Sequence, residues 1–319
     1  MSKIGPALAP WQQRIHDHAV DALDSGRMGH ALLVCGPALL GQRAVAERLA
    51  HHLLGAERDA RAAQLLAAGT HPDYRLISFI PNKEGTKLRT EIVIEQVREL
   101  SEKFALTPQY GGAQVAIIDP ADAINHAASN ALLKTLEEPQ PGRYLWLLCA
   151  NPARLPATIR SRCQRLEFHL PPRDEALAWL RSQGHPAKAA DEALDAARGH
   201  PGLADAWLQD GGIALRREVA SDLAKLAKGE AAVVETAQRW AADENTALRL
   251  RHAADLALAE AGGLTEPGRM RKLALWFDAA NRTRNLLQTT IRADLAVAEL
   301  LLAWRGDDGR GATQPRGRA

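Results

Sequence analysis

The chain is poor in aromatic residues, at 4%, holds only three cysteines, and has no marked excess of either charge. Each shortage removes a class of explanation. Lysines and arginines number 40 against 38 acids, so net charge supplies no drive toward nucleic acid or a membrane surface. Cys35, Cys149 and Cys163 lie far apart with no C-x-x-C, which argues against a zinc or disulfide framework and fits a reducing cytosol. No run of about 18 apolar residues occurs, and MSKIGPALAPW at the start lacks a secretory apolar stretch, so no membrane partner is expected and the expected location is cytoplasmic. What remains is a chain with 46% hydrophobic residues, dominated by Ala and Leu, which points to a helix-rich folded protein. Its 319 residues suggest two or three domains at about 150 residues each.

Periodicity divides the chain into an alternating part and a helical part. HALLVCG (30–36), the apolar run YRLISFI, QVAIID (114–119) and RYLWLLCAN (143–151) read as buried strands. Between them, residues 11–28, 41–54, 56–68, IVIEQVRELSEKFAL and 121–137 carry helical spacing. Such alternation predicts a mostly parallel sheet covered on both faces, an α/β fold. From residue 174 onward only helical segments are found, broken by SQGHP, RGHPG, DGG, AGG and EPG. Arg271 to Trp304 reads as one long helix or two, with Leu273, Trp276, Phe277, Ala280, Leu287, Ile291, Leu295, Ala298 and Leu302 near one face. The last residues, RGDDGRGATQPRGRA, are rich in Gly, Arg and Pro, a composition expected to be disordered.

One loop carries the frame of a phosphate site. In GPALLGQRAV, Gly36 and Gly41 stand between a strand and a helix with the spacing of G-x-x-x-x-G-K-[ST], but Gln42 and Arg43 replace the lysine and the hydroxyl. Glutamine brings no charge to a phosphate, and arginine cannot ligate a cation. A second strand ends in Asp119, a position from which a carboxylate holds nucleotide-bound magnesium.

SNALLKTLEEP (129–139) resembles, nearly residue for residue, the stretch after the second strand motif in bacterial clamp-loader subunits of the AAA+ superfamily. LPATIRSRCQRLEF (155–168) resembles the Ser-Arg-Cys motif of that family, and HALLVCGP and GTHPDY look like their counterparts. The likeness covers residues 1 to about 210 in sequence, and by architecture only beyond that. With Gln42 and Arg43 in the loop and Pro120 after Asp119, the likeness is to the non-hydrolysing kind of subunit within that family.

The resemblance implies an AAA+ parallel-sheet domain at 1–168, a helical lid at 169–208, a helical collar for assembly at 209–304 and a tail at 305–319. It implies a non-hydrolysing clamp-loader subunit whose partners are gamma/tau and delta subunits, the sliding clamp, and primer-template DNA through the assembled complex. It also implies a parent complex that is a DNA-directed DNA polymerase, with no polymerase chemistry in this chain. In working relatives a catalytic carboxylate follows the magnesium aspartate; here that position is Pro120. The sensing arginine of the lid falls near Gly202, and Asn151 matches the polar sensor, with capping of the strand end as its alternative. Arg162 matches the arginine that reaches across a subunit boundary to a neighbour's γ-phosphate, a finger in trans; the bland alternative is a structural arginine paired with a nearby acid. Arg160 and Arg165 have less claim.

Other candidates are weaker. Lys134 is read as one half of a solvated helix pair with Glu138, and Cys35 and Cys149, in apolar strands, as inert core. Relatives with a four-cysteine zinc module carry it where this chain has AHHLLGAERDARAAQLLAAG, and His51 with His52 cannot complete a tetrahedral site, so no zinc is expected. No other cofactor is expected, with at most weak ATP binding. Lys83, Lys87 and Arg89 form a basic loop, for which DNA contact competes with plain solvated surface. Two rival functions stand beside the main one: an active AAA+ motor, such as a gamma/tau-type subunit or a helicase, and a purely structural AAA+ scaffold.

Overall fold

A computed structural model describes residues 7–82, 84–110, 112–287 and 289–305. Lys83 of the basic loop and residues 306–319 of the expected tail lie outside that set.

The described residues form two compact units, one of those up to 187 with 197–203 and the other of 188–196 with those from 204 on. The segment expected as a separate lid is therefore divided between them. The first unit runs α1 (Pro10–Asp24), β1 (Ala31–Cys35), α2 (Gln42–Leu53), α3 (Ala60–Ala67), β2 (Tyr74–Ile77), α4 (Ile94–Phe104), β3 (Gln114–Ile118), α5 (His126–Glu137), β4 (Arg143–Cys149), α6 (Ala157–Arg160), β5 (Gln164–Glu167) and α7 (Arg173–Ser182). Its five strands lie parallel in the order β2-β3-β4-β1-β5. β1 and β3 are buried at every residue, as strands covered on both faces must be, which is why they read as unbroken apolar runs. One face packs Leu33, Ile118, Leu132 and Leu147 with α4 and α5; the other packs Leu32, Ile117, Trp146 and Leu148 with α1 and α2.

One expected strand is shorter than its apolar run, and one strand was not expected. YRLISFI pairs only through Ile77, and Gln164–Glu167 forms a fifth strand that polar residues disguise, because it is an edge strand exposed along most of its length.

The helices after α7 are α8 (Ala187–Ala196), α9 (Pro201–Gln209), α10 (Gly212–Lys228), α11 (Val233–Trp240), α12 (Thr246–Gly262), α13 (Pro267–Leu286) and α14 (Ala293–Arg305). The core of the second unit centres on Trp240, Leu250, Ala257, Ala280, Val297 and Leu301, with alanines on α12 allowing close approach of its neighbours. Asp222 is buried there because Trp240 Nε1 donates to it at 2.8 Å and Arg239 at 3.0 Å. The 271–304 periodicity resolves into two helices. The break after Leu286 shifts the phase, so Ile291, Leu295 and Leu302 are exposed and Val297, Leu300 and Leu301 face the core instead. Arg305, expected to open the tail, ends α14.

Candidate nucleotide site and interface arginine

β1 delivers Gly36 and the loop to α2, whose first residue is Gln42. Gly36 has φ 147° and Gly41 φ 93°, conformations that L side chains rarely adopt. At Gly36 an added Cβ would also lie 2.7 Å from Phe168 Cβ, so this position requires glycine on both counts. Gln42 turns its amide back into the loop, donating to Pro37 O at 2.6 Å and Gly36 O at 3.1 Å. From α1, Trp11 Nε1 and Gln12 Nε2 both donate to Leu40 O at 3.0 Å. A working loop aims backbone N–H groups at phosphate oxygens. Here side-chain amides and an indole satisfy the loop's carbonyls from within the protein.

Arg43, where the phosphate-loop pattern has a hydroxyl, is likewise engaged within the chain. Arg43 Nε donates to Glu47 Oε1 at 2.8 Å, and its NH1 lies 3.5 Å from Asp119 Oδ2. Burial pushes the Asp119 carboxyl above its ordinary pKa, and the Arg43 charge pulls it back down. A guanidinium thus stands beside the carboxylate that the sequence suggests for magnesium. Pro120 follows at the start of a 3-10 turn and carries no acid. Asp122, two residues on, accepts the Asn151 N–H at 3.0 Å, while the Asn151 side chain caps its own turn by accepting from Ala153 N at 3.2 Å. Gly202 sits in the first turn of α9, where an added Cβ would fall on the Leu39 carbonyl.

Arg162 is brought to the surface by its neighbours. Ile159 and Cys163 on either side are buried, and α6 ends at Arg160 with Ser161 as its cap. The Arg162 side chain is 36% exposed, with NH2 at 2.7 Å from Glu137 Oε1 and NH1 donating to Thr158 O at 2.8 Å. Arg165 pairs loosely with Glu167 at 3.6 Å, and Arg160 Nε is buried with no hydrogen-bond partner.

The remaining candidates do not converge on a site. His52 is held by Asp24 at 3.1 Å and Glu57 at 3.3 Å; burial pulls its pKa down, and the two carboxylates more than offset that. Burial lowers His51, whose Nδ1 has no partner. Among the described residues no group of three or more His, Cys, Asp or Glu could hold a metal. Burial pushes the thiols up, to about 12 at Cys149 and about 11 at Cys163, which leaves them unreactive. α5 stops at Glu137, so Glu138 leaves the helix and meets Lys134 through its backbone N–H at 3.1 Å; the expected ion pair is not formed among the described residues. Lys87 and Arg89 lie on a short hairpin closed by Arg89 N to Ile80 O at 2.8 Å.

Two features escaped the sequence reading. Asp73 of the GTHPDY motif is buried and accepts N–H groups of Gln109 at 2.9 Å and Tyr110 at 2.8 Å, so this motif pins a distant loop to the sheet edge. Trp11 and Gln12 are the loop's external supports, and nothing in their spacing marks them.

Residues 11–172 match the family described as DNA polymerase III, delta subunit. A DNA polymerase III subunit delta' of Pseudomonas aeruginosa is 38% identical over 242 residues, covering 72% of this chain and 70% of the relative. The subunit delta' of Escherichia coli is 36% identical over 208 residues, covering 63% of this chain and 60% of the relative. A crystal structure of a DNA polymerase III gamma-subunit-related protein from Thermotoga maritima shares the fold, with a TM-score of 0.51 at 16% identity over 93% of this chain and 99% of that one. No helix among the described residues is long and apolar enough to cross a membrane.

Proposed function

The chain belongs to the delta' subunit family of DNA polymerase III, and from that premise we propose that it is a clamp-loader subunit that hydrolyses no ATP itself and completes a neighbour's site with Arg162. The observation that carries the first half is the Arg43 guanidinium on Asp119, at 3.5 Å. Gln42, turned onto the loop carbonyls, has no charge for a phosphate, and Pro120 supplies no base. Neither a resident nucleotide nor zinc belongs to this reading.

Arg162 supports the second half because it is charged, partly exposed, and held just past the end of a short helix, between the buried residues Ile159 and Cys163. A guanidinium delivered to a neighbour's γ-phosphate stabilises charge in the transition state and is worth roughly a thousandfold or more in rate. In this reading the assembled complex contains gamma/tau and delta subunits, joined to this chain through its helical unit, acts on the sliding clamp, and tracks primer-template DNA by backbone phosphates and shape. The expected location is the cytoplasm.

The test is reconstitution with gamma/tau, delta, clamp and primed DNA. The chain alone should turn over no ATP, and the complex should lose DNA-stimulated turnover at the adjoining site when Arg162→Ala replaces the native chain. ATP hydrolysis by the isolated chain would overturn the first half, and unchanged turnover in the Arg162→Ala complex the second.

A further inference from the structure

Among the described residues, only two non-glycine residues hold positive φ: Leu39 at 68° and Arg198 at 54°. They belong to the two segments that meet at the vestigial loop. A left-handed backbone is disfavoured for leucine and arginine, and it persists where surrounding contacts over-determine it. Those contacts are specific. His200 Nε2 lies 2.8 Å from Ala38 O, while its Nδ1 accepts the Leu203 N–H at 3.1 Å; together they fix the neutral tautomer with the proton on Nε2. One turn on, Gly202 presses its bare Cα against Leu39, whose carbonyl carbon would be 2.8 Å from any added Cβ.

The loop's carbonyls are thus held from three directions: Gln42 within the loop, Trp11 and Gln12 from α1, and His200 from the segment 197–203. We propose that residues 197–203 act as an internal plug, latched by His200 and seated by Gly202, that keeps the loop closed independently of any nucleotide. The inference deepens the reading of residues 36–43 as a vestigial site and rests on it. Exclusion of nucleotide then has two layers, missing ligands and an occupied mouth, and only the second depends on residues outside the loop. The residue type at 202 follows from this packing: any side chain there would displace Leu39.

The role is one of positioning, and amide hydrogen exchange on the full-length protein reads it without any partner's ATP turnover. In His200→Ala and in Gly202→Ala, amides of residues 38–41 should exchange at least about tenfold faster, with β3 and β4 unchanged. His200→Gln, which keeps a side-chain N–H donor, should recover most of the protection that His200→Ala loses. Trypsin should also cut after Arg198 faster in His200→Ala than in the native chain. Loop exchange that stays at the native rate in His200→Ala, or protection no better in His200→Gln than in His200→Ala, would overturn the proposal. Should Gly202→Ala fail to fold, the two His200 variants still decide it.

Discussion

The Arg43 guanidinium and the Asp119 carboxylate, 3.5 Å apart, form an ion pair at the point where the sequence suggests a metal. Both groups are partly exposed, with side chains 48% and 26% accessible, so their coupling is expected at about 0–1 kcal/mol. A double-mutant cycle of Arg43→Ala and Asp119→Asn in urea denaturation should return a coupling in that range. Arg43→Ala should also raise the Asp119 pKa further, since burial already pushes it up and only the guanidinium opposes that. An unmoved carboxyl resonance on titration of the variant would show that the pair is not formed.

Three histidines should make the protein acid-labile. Burial lowers the pKa of His51, His71 and His252, the last to about 4. The folded state therefore binds fewer protons than the unfolded state below the ordinary histidine value of about 6.5. Their stabilising contribution is fully present above that pH and is lost as pH falls from there toward 4 at His252. His252→Leu, a substitution by an apolar side chain beside Trp207, should flatten the fall in urea midpoint over that window. Identical pH profiles for the two proteins would remove His252 from the account.

Asp73 is expected to be worth more than its surface-like motif suggests. It is 2% exposed and accepts the Gln109 and Tyr110 N–H groups, while the His71 ring stacks on Tyr110 at 5.0 Å. Asp73→Ala removes a buried acceptor from two backbone N–H donors of the part-buried loop and should cost about 1–3 kcal/mol. Asp73→Asn keeps one acceptor and should cost less. Chemical denaturation measures both, and a loss under about 0.5 kcal/mol for the alanine variant would contradict the buried geometry.

Legibility followed burial. β1, β3 and β4 were readable because covering both faces of a strand leaves an apolar run, and the Gly36–Gly41 loop because its backbone requires glycine at both ends. β5 was hidden because its edge position lets Gln164, Arg165 and Glu167 face solvent. The break between α13 and α14 carries no Gly or Pro, so periodicity ran through it and misplaced Leu295 and Leu302. At the site, the departure of Gln42, Arg43 and Pro120 from the phosphate-loop pattern could be read from residue chemistry alone. The contacts around them could not: Gln42 bonding to carbonyls behind it, Trp11 and His200 reaching the loop from remote segments, and Arg43 turning to Asp119 are products of tertiary packing.

Arg162 and Glu137 set the last prediction, because their 2.7 Å pair must open if the arginine is to serve a neighbour. The two side chains are 36% and 49% exposed, so solvent screens the pair and its opening costs about 1 kcal/mol or less. A thousandfold rate effect corresponds to about 4 kcal/mol of transition-state stabilisation, so the neighbour's phosphate easily wins the competition. Glu137→Gln should therefore leave the reconstituted complex within about twofold of native turnover, or raise it, by freeing the guanidinium. Arg162→Ala should lower turnover at that one site by about a thousandfold while moving the chain's own urea midpoint little. Arg162→Lys should fall between them, since an ammonium keeps the charge and loses the planar fork. If Glu137→Gln and Arg162→Ala destabilise the chain equally and neither changes the complex's turnover, Arg162 is a structural arginine and the finger belongs elsewhere.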